Sequence, residues 1–495
     1  MLPNSGEINL LLVARRVCSM LTLDDLLQPL VAYQTTGEEP AVSTVVTDSR
    51  EAQPGSVFVA LPGKRVDGHE YVLDALRRGA IAALVARVPR GCDECVVVDV
   101  RRAPVPSLRQ GQKYLILVDD TVAAMHTAAK AWRDRFSLRV IGITGSVGKT
   151  TTKELTHAVL SRRYRTFKTP GNRNSVLGLP PSLFQLRPEH ERAVAEMGMY
   201  TQGEIATLCE ITRPVVGVVT MIDPVHMERA GSLQNIVAAK QELVEALPAD
   251  GVAILNRDEA LVMGMAEHTK ARVLTYGLDS RADLWAEEVE SMGLDGMRFS
   301  LHYGRDAMRV HVPLLGRHSV HTALRAAAVG RVEGLSWGEI VAGLQDEAAQ
   351  LRLITARGPK GALILDDTYN ASPASTIAAL NLLEDLQGRR IAVLGDMLEL
   401  GDAEEESHRL VGRRARRVAH LLVTVGQRAR LIAEEAVQVG MASHNVYAVD
   451  EAGEALSLLK TIIEADDVVL VKGSRAVGLE GLVMALAQPP ERREQ

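Results

Sequence analysis

The chain contains 495 residues, of which 46% are hydrophobic and 24% are charged. One hydrophobic core rarely serves so long a chain, so this length favours about three domains. The balanced composition excludes a mostly disordered protein. The 56 Lys and Arg residues and 62 Asp and Glu residues give a formal net charge of −6. A mildly acidic chain without a long basic run is a poor candidate for binding nucleic acid or an anionic membrane surface.

Targeting and redox patterns in the sequence point to a cytoplasmic protein. The apolar stretch Ile8–Ala14 follows an acidic residue and precedes two arginines, whereas a signal peptide carries its positive charge first. No segment approaches the roughly 18 apolar residues that cross a bilayer. Four cysteines are too few to crosslink this chain, which favours reduced thiols. Cys92 and Cys95 form one CxxC pair without a second pair at zinc spacing, so we interpret them as incidental thiols.

The first predicted domain covers residues 1–137, where short apolar runs alternate with turn residues. A helix over Thr121–Arg135 closes this block, and the composition of Arg101–Gln112 predicts a surface loop. The predicted strands are Val57–Leu61, Ala82–Val85, Val96–Val98 and Leu115–Val118.

The second predicted domain covers residues 138–348, where buried strands alternate with helices. This rhythm predicts a mostly parallel sheet that is covered on both faces. Between Asp283 and Val312 the apolar period falls to two, which predicts an antiparallel patch at the edge of the sheet. The predicted strands are Val140–Ile143, Ala193–Ala195 and Val215–Thr220. The predicted helices are Lys153–Leu160, Ser232–Leu247 with a cap at Ser232, His318–Val329 and Trp337–Leu344.

The third predicted domain covers residues 349–495 and repeats the alternation of strands and helices, as in a Rossmann-like sheet. The three blocks together predict an α/β protein of three domains. The predicted strands of the last block are Ala362–Leu365, Arg390–Leu394, Leu421–Val425 and Val468–Val471.

The stretch GITGSVGKTT at residues 142–151 lies between a predicted strand and a predicted helix. Its glycines let backbone N–H groups approach phosphate oxygens, and the helix N-terminus adds a positive dipole end. Ile143 stands where a strict GxxxxGKT motif has glycine, so the match is to a GxxGKT[ST] variant. We expect Lys149 to reach the β- and γ-phosphates and the Thr150 hydroxyl to hold Mg²⁺, which favours a nucleotide site over a purely structural turn. The predicted contacts come from Thr144, Gly145, Ser146, Val147, Gly148, Lys149, Thr150 and Thr151.

Three polar residues downstream are candidates for the chemistry of this site. Glu196 ends an apolar strand, a costly place for a carboxylate unless it meets a cation. His226 follows the next strand, and Lys240 sits in a helix with few other charges nearby. Taken singly, the three residues are better explained as a satisfied surface glutamate, a capping histidine and a solvated lysine.

The order and spacing of many short motifs change that balance, because the sequence resembles the Mur ligases. The resemblance extends from about Leu21 to Leu486. The matching stretches are Thr47–Arg50, Phe58–Gly63, Asp67–His69, the loop at residues 142–151, Gly171-Asn172, Glu196–Gly198, Gln202–Glu204, His226–Glu228, Gly231-Ser232, Asp366–Ala371, Leu394–Gly401, His408 and Lys472–Arg475.

The resemblance implies an ATP-dependent, ADP-forming carbon–nitrogen ligase of cytoplasmic peptidoglycan precursor synthesis. The implied substrates are UDP-N-acetylmuramoyl-tripeptide, ATP and D-alanyl-D-alanine, joined through an acyl phosphate, and we expect a monomer. The implied catalytic residues are Lys149, Glu196, His226 and Lys240, and two Mg²⁺ ions would be held by Thr150, Glu196, His226 and a carbamylated Lys240. The other implied contacts are Ser49 and Arg50 to the UDP substrate, Arg352 and Asp367 to ATP, and Tyr369, Asn370, Lys472 and Arg475 to the amino substrate.

Six positions depart from the family pattern, including Ser175 in place of an asparagine and Leu351 in place of a glycine. Ser319 and Thr322 stand where a pair of asparagines is usual, which puts the adenine contact in question. Met221 and Ser372 also replace asparagines. None of these changes affects Lys149, so the resemblance predicts the reaction better than the substrate.

The sequence alone leaves other functions open. A Mur ligase that adds the third amino acid usually carries a DNPR motif, and this chain has none. Folylpolyglutamate synthase and cyanophycin-type ligases share the central domain, but the stretches Thr47–Arg50 and Asp67–His69 argue against them. A regulatory P-loop ATPase is a further alternative, although the chain lacks an NKxD string for guanine.

Overall fold

The computed structural model describes residues 20–63, 66–223, 231–346 and 354–487 of the chain. Their strands form three β-sheets, with helices between the strands along the sequence. The chain divides into two compact units. The first unit combines the residues up to 142 with residues 164–199 and 203–215, and the second consists of residues 143–163, 200–202 and those from 216 onward. No helix in the described ranges is long and apolar enough to cross a membrane.

Short apolar strands near the N-terminus form a five-stranded parallel sheet. The strands are β1 Val45–Val46, β2 Val57–Val59, β3 Ala82–Val85, β4 Val96–Asp99 and β5 Tyr114–Leu117, and the helices are α1 Leu23–Leu27, α2 Val72–Arg77 and α3 Thr121–Arg133. The spatial order is β1-β2-β3-β5-β4. The Asp120 carboxylate accepts hydrogen bonds from the N–H groups of Val122 (2.8 Å) and Ala123 (3.1 Å), which fixes the start of α3 at the predicted residue.

The CxxC pair lies in the turn before β4. The Cys95 N–H donates to the carbonyl oxygen of Cys92 at 3.0 Å, and the Cys92 side chain belongs to the apolar core of this sheet. Burial raises the pKa of both thiols. They therefore stay protonated near neutral pH, which agrees with a packing role and not with a reactive thiolate.

The middle of the chain forms a nine-stranded mixed sheet. The strands are β6 Arg139–Thr144, β7 Thr166–Lys168, β8 Arg192–Glu196, β9 Val216–Val219, β10 Val252–Asn256, β11 Arg272–Gly277, β12 Leu284–Ser291, β13 Met297–Tyr303 and β14 Asp306–Val312. The helices are α4 Lys149–Leu160, α5 Leu179–Leu183, α6 Glu204–Thr212, α7 Leu233–Glu245, α8 Ala260–Met263, α9 His318–Val332 and α10 Trp337–Leu344. The order is β14-β13-β12-β11-β10-β9-β6-β8-β7. The antiparallel pairs β12/β13 and β13/β14 confirm the predicted antiparallel edge.

Two helices of this region show how local sequence sets their ends. α4 begins at Lys149, four residues before the predicted start, because Gly148 adopts a left-handed conformation and caps the helix there. α7 begins at Leu233 as predicted from its cap, since the Ser232 hydroxyl accepts a hydrogen bond from the Asn235 N–H at 3.1 Å.

The C-terminal region forms a six-stranded sheet covered by helices on both faces. The strands are β15 Ile354–Arg357, β16 Leu363–Asp367, β17 Arg389–Gly395, β18 Leu421–Val425, β19 Val446–Val449 and β20 Asp467–Lys472, in the order β15-β16-β20-β17-β18-β19. The helices are α11 Pro373–Asp385, α12 Glu404–Val418, α13 Arg430–Gln438, α14 Ala452–Ile462 and α15 Leu479–Leu486. Only the β15/β16 pair is antiparallel. Neighbouring residues such as Val469 and Leu470 enter opposite cores, so near-continuous apolar strands fit a doubly covered sheet.

His408 in α12 is a fully buried histidine that joins this helix to the end of β17. Its Nδ1 donates to the carbonyl oxygen of Glu404 at 2.7 Å, and its Nε2 accepts from the Met397 N–H at 3.1 Å. Burial lowers the pKa of His408. The folded protein therefore keeps the ring neutral at pH values where an unfolded chain protonates it.

We expect this ring to make folding stability depend on pH. Because the folded-state pKa lies below the unfolded value of about 6.5, the stabilisation is complete above that pH and is lost as the pH falls toward the folded pKa. The variant His408→Ala should lose about 1–3 kcal/mol of its free energy of unfolding at pH 7.5. When the pH is lowered from 7.5 to 5.5, the free energy of unfolding should fall less in the variant than in the wild type. Urea-denaturation midpoints at the two pH values measure both effects. His444→Ala, at an exposed histidine, is the control, and an equal pH response in both variants would contradict the role of His408.

Candidate active site

The glycine-rich motif forms a tight loop between β6 and α4. β6 ends at Thr144 and α4 begins at Lys149. Gly145 has φ 143° and Gly148 has φ 84°, and both conformations favour glycine. The N–H groups of the first helical turn and the positive end of the helix dipole meet at this loop. The strand–loop–helix context is the one that the motif requires for phosphate binding.

Thr220, directly after β9, packs against the loop and fixes its path. Its hydroxyl donates to the carbonyl oxygen of Val147 at 2.7 Å. A Cβ added at Gly145 would lie 1.8 Å from Thr220 Oγ1 and 3.1 Å from Thr220 N, so only glycine fits at that position. Sequence reasoning missed Thr220, for which the available signal was its position at the end of a buried strand.

Ser146 ties the loop to the segment after β9 by three hydrogen bonds. Its N–H donates to the carbonyl oxygen of Met221 at 2.8 Å. Its hydroxyl donates to the carbonyl oxygen of Asp223 and accepts from the Asp223 N–H, each at 2.9 Å. The Met221 side chain takes no part in these bonds, so the loss of the usual asparagine leaves this anchor intact.

Two lysines provide positive charge at the loop. Lys149 Nζ donates to the carbonyl oxygens of Gly145 at 2.8 Å and Ser146 at 3.1 Å. Lys240 lies on the buried face of α7 and is only 3% exposed. Burial, with a further effect from the charge of Lys149, holds the pKa of Lys240 well below its usual range. Burial therefore shifts Lys240 toward its neutral amine form, and Lys240 is not the solvated lysine that the sequence alone suggested.

Glu196 ends β8 and is 1% exposed, in the first compact unit. Its Oε1 accepts a hydrogen bond from Asn174 Nδ2 at 2.8 Å. A Cβ added at Gly198 would lie 2.8 Å from Asn174 Oδ1, so glycine there leaves room for the amide. The carboxylate is thus oriented by a residue that sequence reasoning missed, although Asn174 follows the motif Gly171-Asn172.

The carboxyl ends of β16 and β20 bring together several residues that are predicted to contact the substrates. Asp367 and Lys472 are paired in register. Lys472 Nζ donates to Asp367 Oδ2 at 2.8 Å and to the carbonyl oxygen of Asn370 at 2.7 Å, and its side chain is 2% exposed. Tyr369 and Arg475 are exposed and belong to the loops that follow these two strands. Lys472 therefore organises the loop after β16.

The residues predicted to meet the UDP substrate lie on a short 3-10 turn beside an open cleft. Ser49 is buried, whereas the exposed Arg50 pairs with Asp48 at 2.6 Å. A cleft of about 470 Å³ borders the turn. Arg173 Nη2 lies 2.5 Å from Glu51 Oε2 at its rim. The lining residues are Thr44, Val46, Glu51, Gln53, Pro170, Gly171, Asn172, Arg173 and Gln185.

Two predicted site residues, His226 and Arg352, lie outside the described residues. Their roles toward the second metal ion and toward ATP stay predictions from the sequence. Within the described part of the chain, no group of three or more His, Cys, Asp or Glu side chains could hold a metal ion. The predicted metal site differs in kind, because it relies on Thr150 and on a modified lysine.

Family models match three successive parts of the chain. The model described as Mur ligase family, catalytic domain, matches residues 41–133, the Mur ligase middle domain matches residues 143–330, and the Mur ligase, glutamate ligase domain, matches residues 351–475. UDP-N-acetylmuramoyl-tripeptide–D-alanyl-D-alanine ligase of Bacillus subtilis is 35% identical over 456 residues, which cover 92% of this chain and 95% of the relative. The chain belongs to the Mur ligase family.

Other relatives of this Mur ligase agree in name and in fold. The ligase of the same name from Synechocystis is 34% identical over 459 residues, covering 92% of this chain and 94% of the relative. MurF from Acinetobacter baumannii superimposes with a TM-score of 0.80 at 32% identity and covers 94% of this chain and 98% of that chain. MurF ligase from Thermotoga maritima in complex with ADP superimposes with a TM-score of 0.71 at 27% identity. The match covers 90% of this chain and 96% of that chain. These findings confirm the predicted family and the three-domain α/β fold.

The contact between the loop and Thr220 gives a direct test of the nucleotide site of this Mur ligase. We expect Gly145→Ala to displace Thr220 and to weaken ADP binding roughly 100-fold, because the loop can no longer present its N–H groups. Gly453→Ala in α14, where an added Cβ meets nothing within 4 Å, is the matched control. Calorimetric titration with ADP measures both variants. Equal affinities would show that the close approach is irrelevant to binding.

Proposed function

We propose that this Mur ligase joins D-alanyl-D-alanine to UDP-N-acetylmuramoyl-tripeptide and converts ATP to ADP and phosphate. The observation that carries the proposal is the identity of 34–35% over 92% of the chain to ligases of that name. A phosphate loop with two lysines beside it supports the proposal locally. The proposed setting is the cytoplasmic synthesis of peptidoglycan precursors from small-molecule substrates, by a monomer.

The proposed reaction has two steps, because a carboxylate is a poor electrophile. In the first step, a carboxylate oxygen of the tripeptide attacks the γ-phosphorus of ATP, the bond to the β–γ bridging oxygen breaks, and ADP leaves. In the second step, the amine of the dipeptide attacks the acyl carbon, loses a proton and expels phosphate. Each step concentrates negative charge near the transferred phosphoryl group, so positively charged groups held in place speed it.

The chain supplies such groups around the loop. Lys149 lies over the loop carbonyls and is positioned to neutralise the β- and γ-phosphates, while the first turn of α4 presents N–H groups. The fixed path of the loop at Gly145 means that little reorganisation is needed when phosphate binds. Exclusion of water would protect the acyl phosphate from hydrolysis.

Mg²⁺ is proposed to bind at Thr150, Glu196, His226 and Lys240, with two ions and Lys240 as its carbamate. The donor chemistry fits, because Mg²⁺ prefers oxygen ligands and the Glu196 carboxylate is already oriented by Asn174. The depressed pKa of Lys240 also fits, since only a neutral amine adds to carbon dioxide. The ions would polarise the phosphoryl oxygens. Carbamylation would place an anion near Lys149, so that the two side chains would attract each other.

The amino substrate is proposed to bind at the carboxyl edge of the third sheet. Lys472 holds Asp367 and the backbone of Asn370 together, which orders the loop that carries the exposed Tyr369. Arg475 is exposed after β20 and carries a charge that suits the free carboxylate of the dipeptide. Asp367 is proposed to face ATP together with Arg352.

The proposed reaction predicts that phosphate release requires all three substrates. Purified protein is mixed with ATP, UDP-N-acetylmuramoyl-tripeptide and D-alanyl-D-alanine, and phosphate and the ligated product are measured together. A release that depends on the tripeptide and the dipeptide supports a ligase. Release from ATP alone at the same rate would support a regulatory ATPase instead.

Hydroxylamine distinguishes the acyl phosphate from a direct route. With the tripeptide and ATP present and the dipeptide omitted, hydroxylamine should trap the activated carboxyl group as a hydroxamate. Mass spectrometry detects this product. The absence of any hydroxamate, from protein that ligates normally once the dipeptide is added, would refute the intermediate.

The proposed carbamate predicts chemical rescue. We expect Lys240→Ala to lose roughly 100-fold or more of the ligation rate, and short-chain carboxylic acids to restore part of it by supplying an anion in the vacated space. Lys149→Ala is the matched control, because a missing cation cannot be replaced by an acid. Wild-type rates in Lys240→Ala, or equal rescue of both variants, would refute the carbamate.

A further inference from the structure

Arg325 in α9 is a buried cation whose hydrogen bonding is incomplete. The residue is 5% exposed. Its Nε donates to the carbonyl oxygen of His321 at 2.9 Å, and its Nη2 donates to Thr322 Oγ1 at 3.2 Å. Its Nη1 is buried and meets no acceptor among the described residues. Buried donors are nearly always satisfied, so this nitrogen points to an acceptor that arrives with a ligand.

The unsatisfied nitrogen lies at the phosphate loop. A Cβ added at Gly148 would be 3.3 Å from Arg325 Nη1 and 3.7 Å from Nη2. Gly148 directly precedes Lys149 and caps α4, against which α9 packs. A nucleotide bound at the loop would therefore lie close to this guanidinium.

The surroundings of the guanidinium are neutral and aromatic. The Tyr276 ring centroid lies 5.8 Å from Arg325 Cζ, and burial raises the pKa of Tyr276, which keeps the phenol protonated. No described carboxylate pairs with Arg325. Nη1 therefore lacks both a counter-charge and an acceptor among the described residues, while Lys149 already lies over the loop carbonyls.

Three neighbouring polar groups of α9 already take part in hydrogen bonds. The Ser319 hydroxyl lies 2.7 Å from the carbonyl oxygen of Gly316, to which it donates. The Thr322 hydroxyl oxygen accepts from Arg325. The His321 ring lies 2.7 Å from Asp258 Oδ2 and is held there. Arg325 Nη1 is thus a buried donor on this face of the helix that meets no acceptor among the described residues.

We propose that Arg325 determines nucleotide specificity by donating a hydrogen bond from Nη1 to a ring acceptor of the purine base. The inference rests on the proposed ATP site at the loop and adds a base contact to it. Arg325 can only donate hydrogen bonds. It therefore strengthens the binding of a base that places an acceptor at this point and does not strengthen the binding of a nucleotide that does not reach it.

The test compares Arg325→Met with the wild type for three probes, namely ATP, CTP and tripolyphosphate. The variant should bind ATP roughly tenfold more weakly, as expected for one lost hydrogen bond to a charged donor. Binding of base-free tripolyphosphate should stay unchanged, and the preference for ATP over CTP should fall. Calorimetric titration measures the three affinities.

Arg331→Met is the matched control on the same helix. Arg331 is stacked over Trp337 at 4.8 Å and donates to the carbonyl oxygen of Leu335, and no contact joins it to the loop. The variant Arg331→Met should leave the affinities for ATP, CTP and tripolyphosphate unchanged. Arg325→Lys is measured in parallel, because it retains the positive charge if the methionine variant folds poorly, and it should also lower the preference for ATP over CTP.

The outcomes separate this inference from the proposed function. An unchanged preference for ATP over CTP in both Arg325 variants would overturn the base contact, as would an equal loss of ATP and tripolyphosphate binding. Normal ATP binding without ligation by the wild type would defeat the proposed function and leave the test of Arg325 valid.

Discussion

The phosphate loop depends on a contact that leaves no space for a side chain, in which the Thr220 hydroxyl occupies the position that a Cβ of Gly145 would take. Gly145 follows β6 and Thr220 follows β9, two neighbours in the nine-stranded sheet. The contact therefore fixes the loop at the carboxyl edge of the sheet, where α/β proteins bind ligands. Because α4 begins at Lys149, directly after the loop, the position of the loop also sets the positions of the helix start and of Lys149.

Positive charge around this loop is a cost to the folded protein. Lys240 is buried near Lys149, and Arg325 is buried against Gly148 with one nitrogen unsatisfied. Burial of a cation without an anion is unfavourable, and natural proteins concentrate such local conflicts at functional sites. In Lys240 the strain would be relieved by conversion to an anion, and in Arg325 by an acceptor on the nucleotide. Both follow from the same low-dielectric setting.

The third sheet uses its carboxyl edge in the same way. Asp367 and Lys472 come from distant parts of the sequence and meet because β16 and β20 are neighbouring parallel strands. The sequence motifs identified both residues as candidates through family resemblance, but their pairing could not be predicted, since strand order is not encoded in local pattern. The same holds for the amide of Asn174 that orients Glu196.

Alternation of apolar strands and helices was enough to predict the three α/β regions, the antiparallel edge, the Ser232 cap and the phosphate loop, because period, caps and glycine spacing are local properties of the chain. Thr220, Asn174 and the environment of Lys240 and Arg325 were decided by tertiary structure alone. These features depend on burial and on contacts between residues far apart in sequence. From sequence alone, a lysine or arginine in a helix is predicted to be solvated. Only the packing of the folded chain shows that such a side chain is buried away from water.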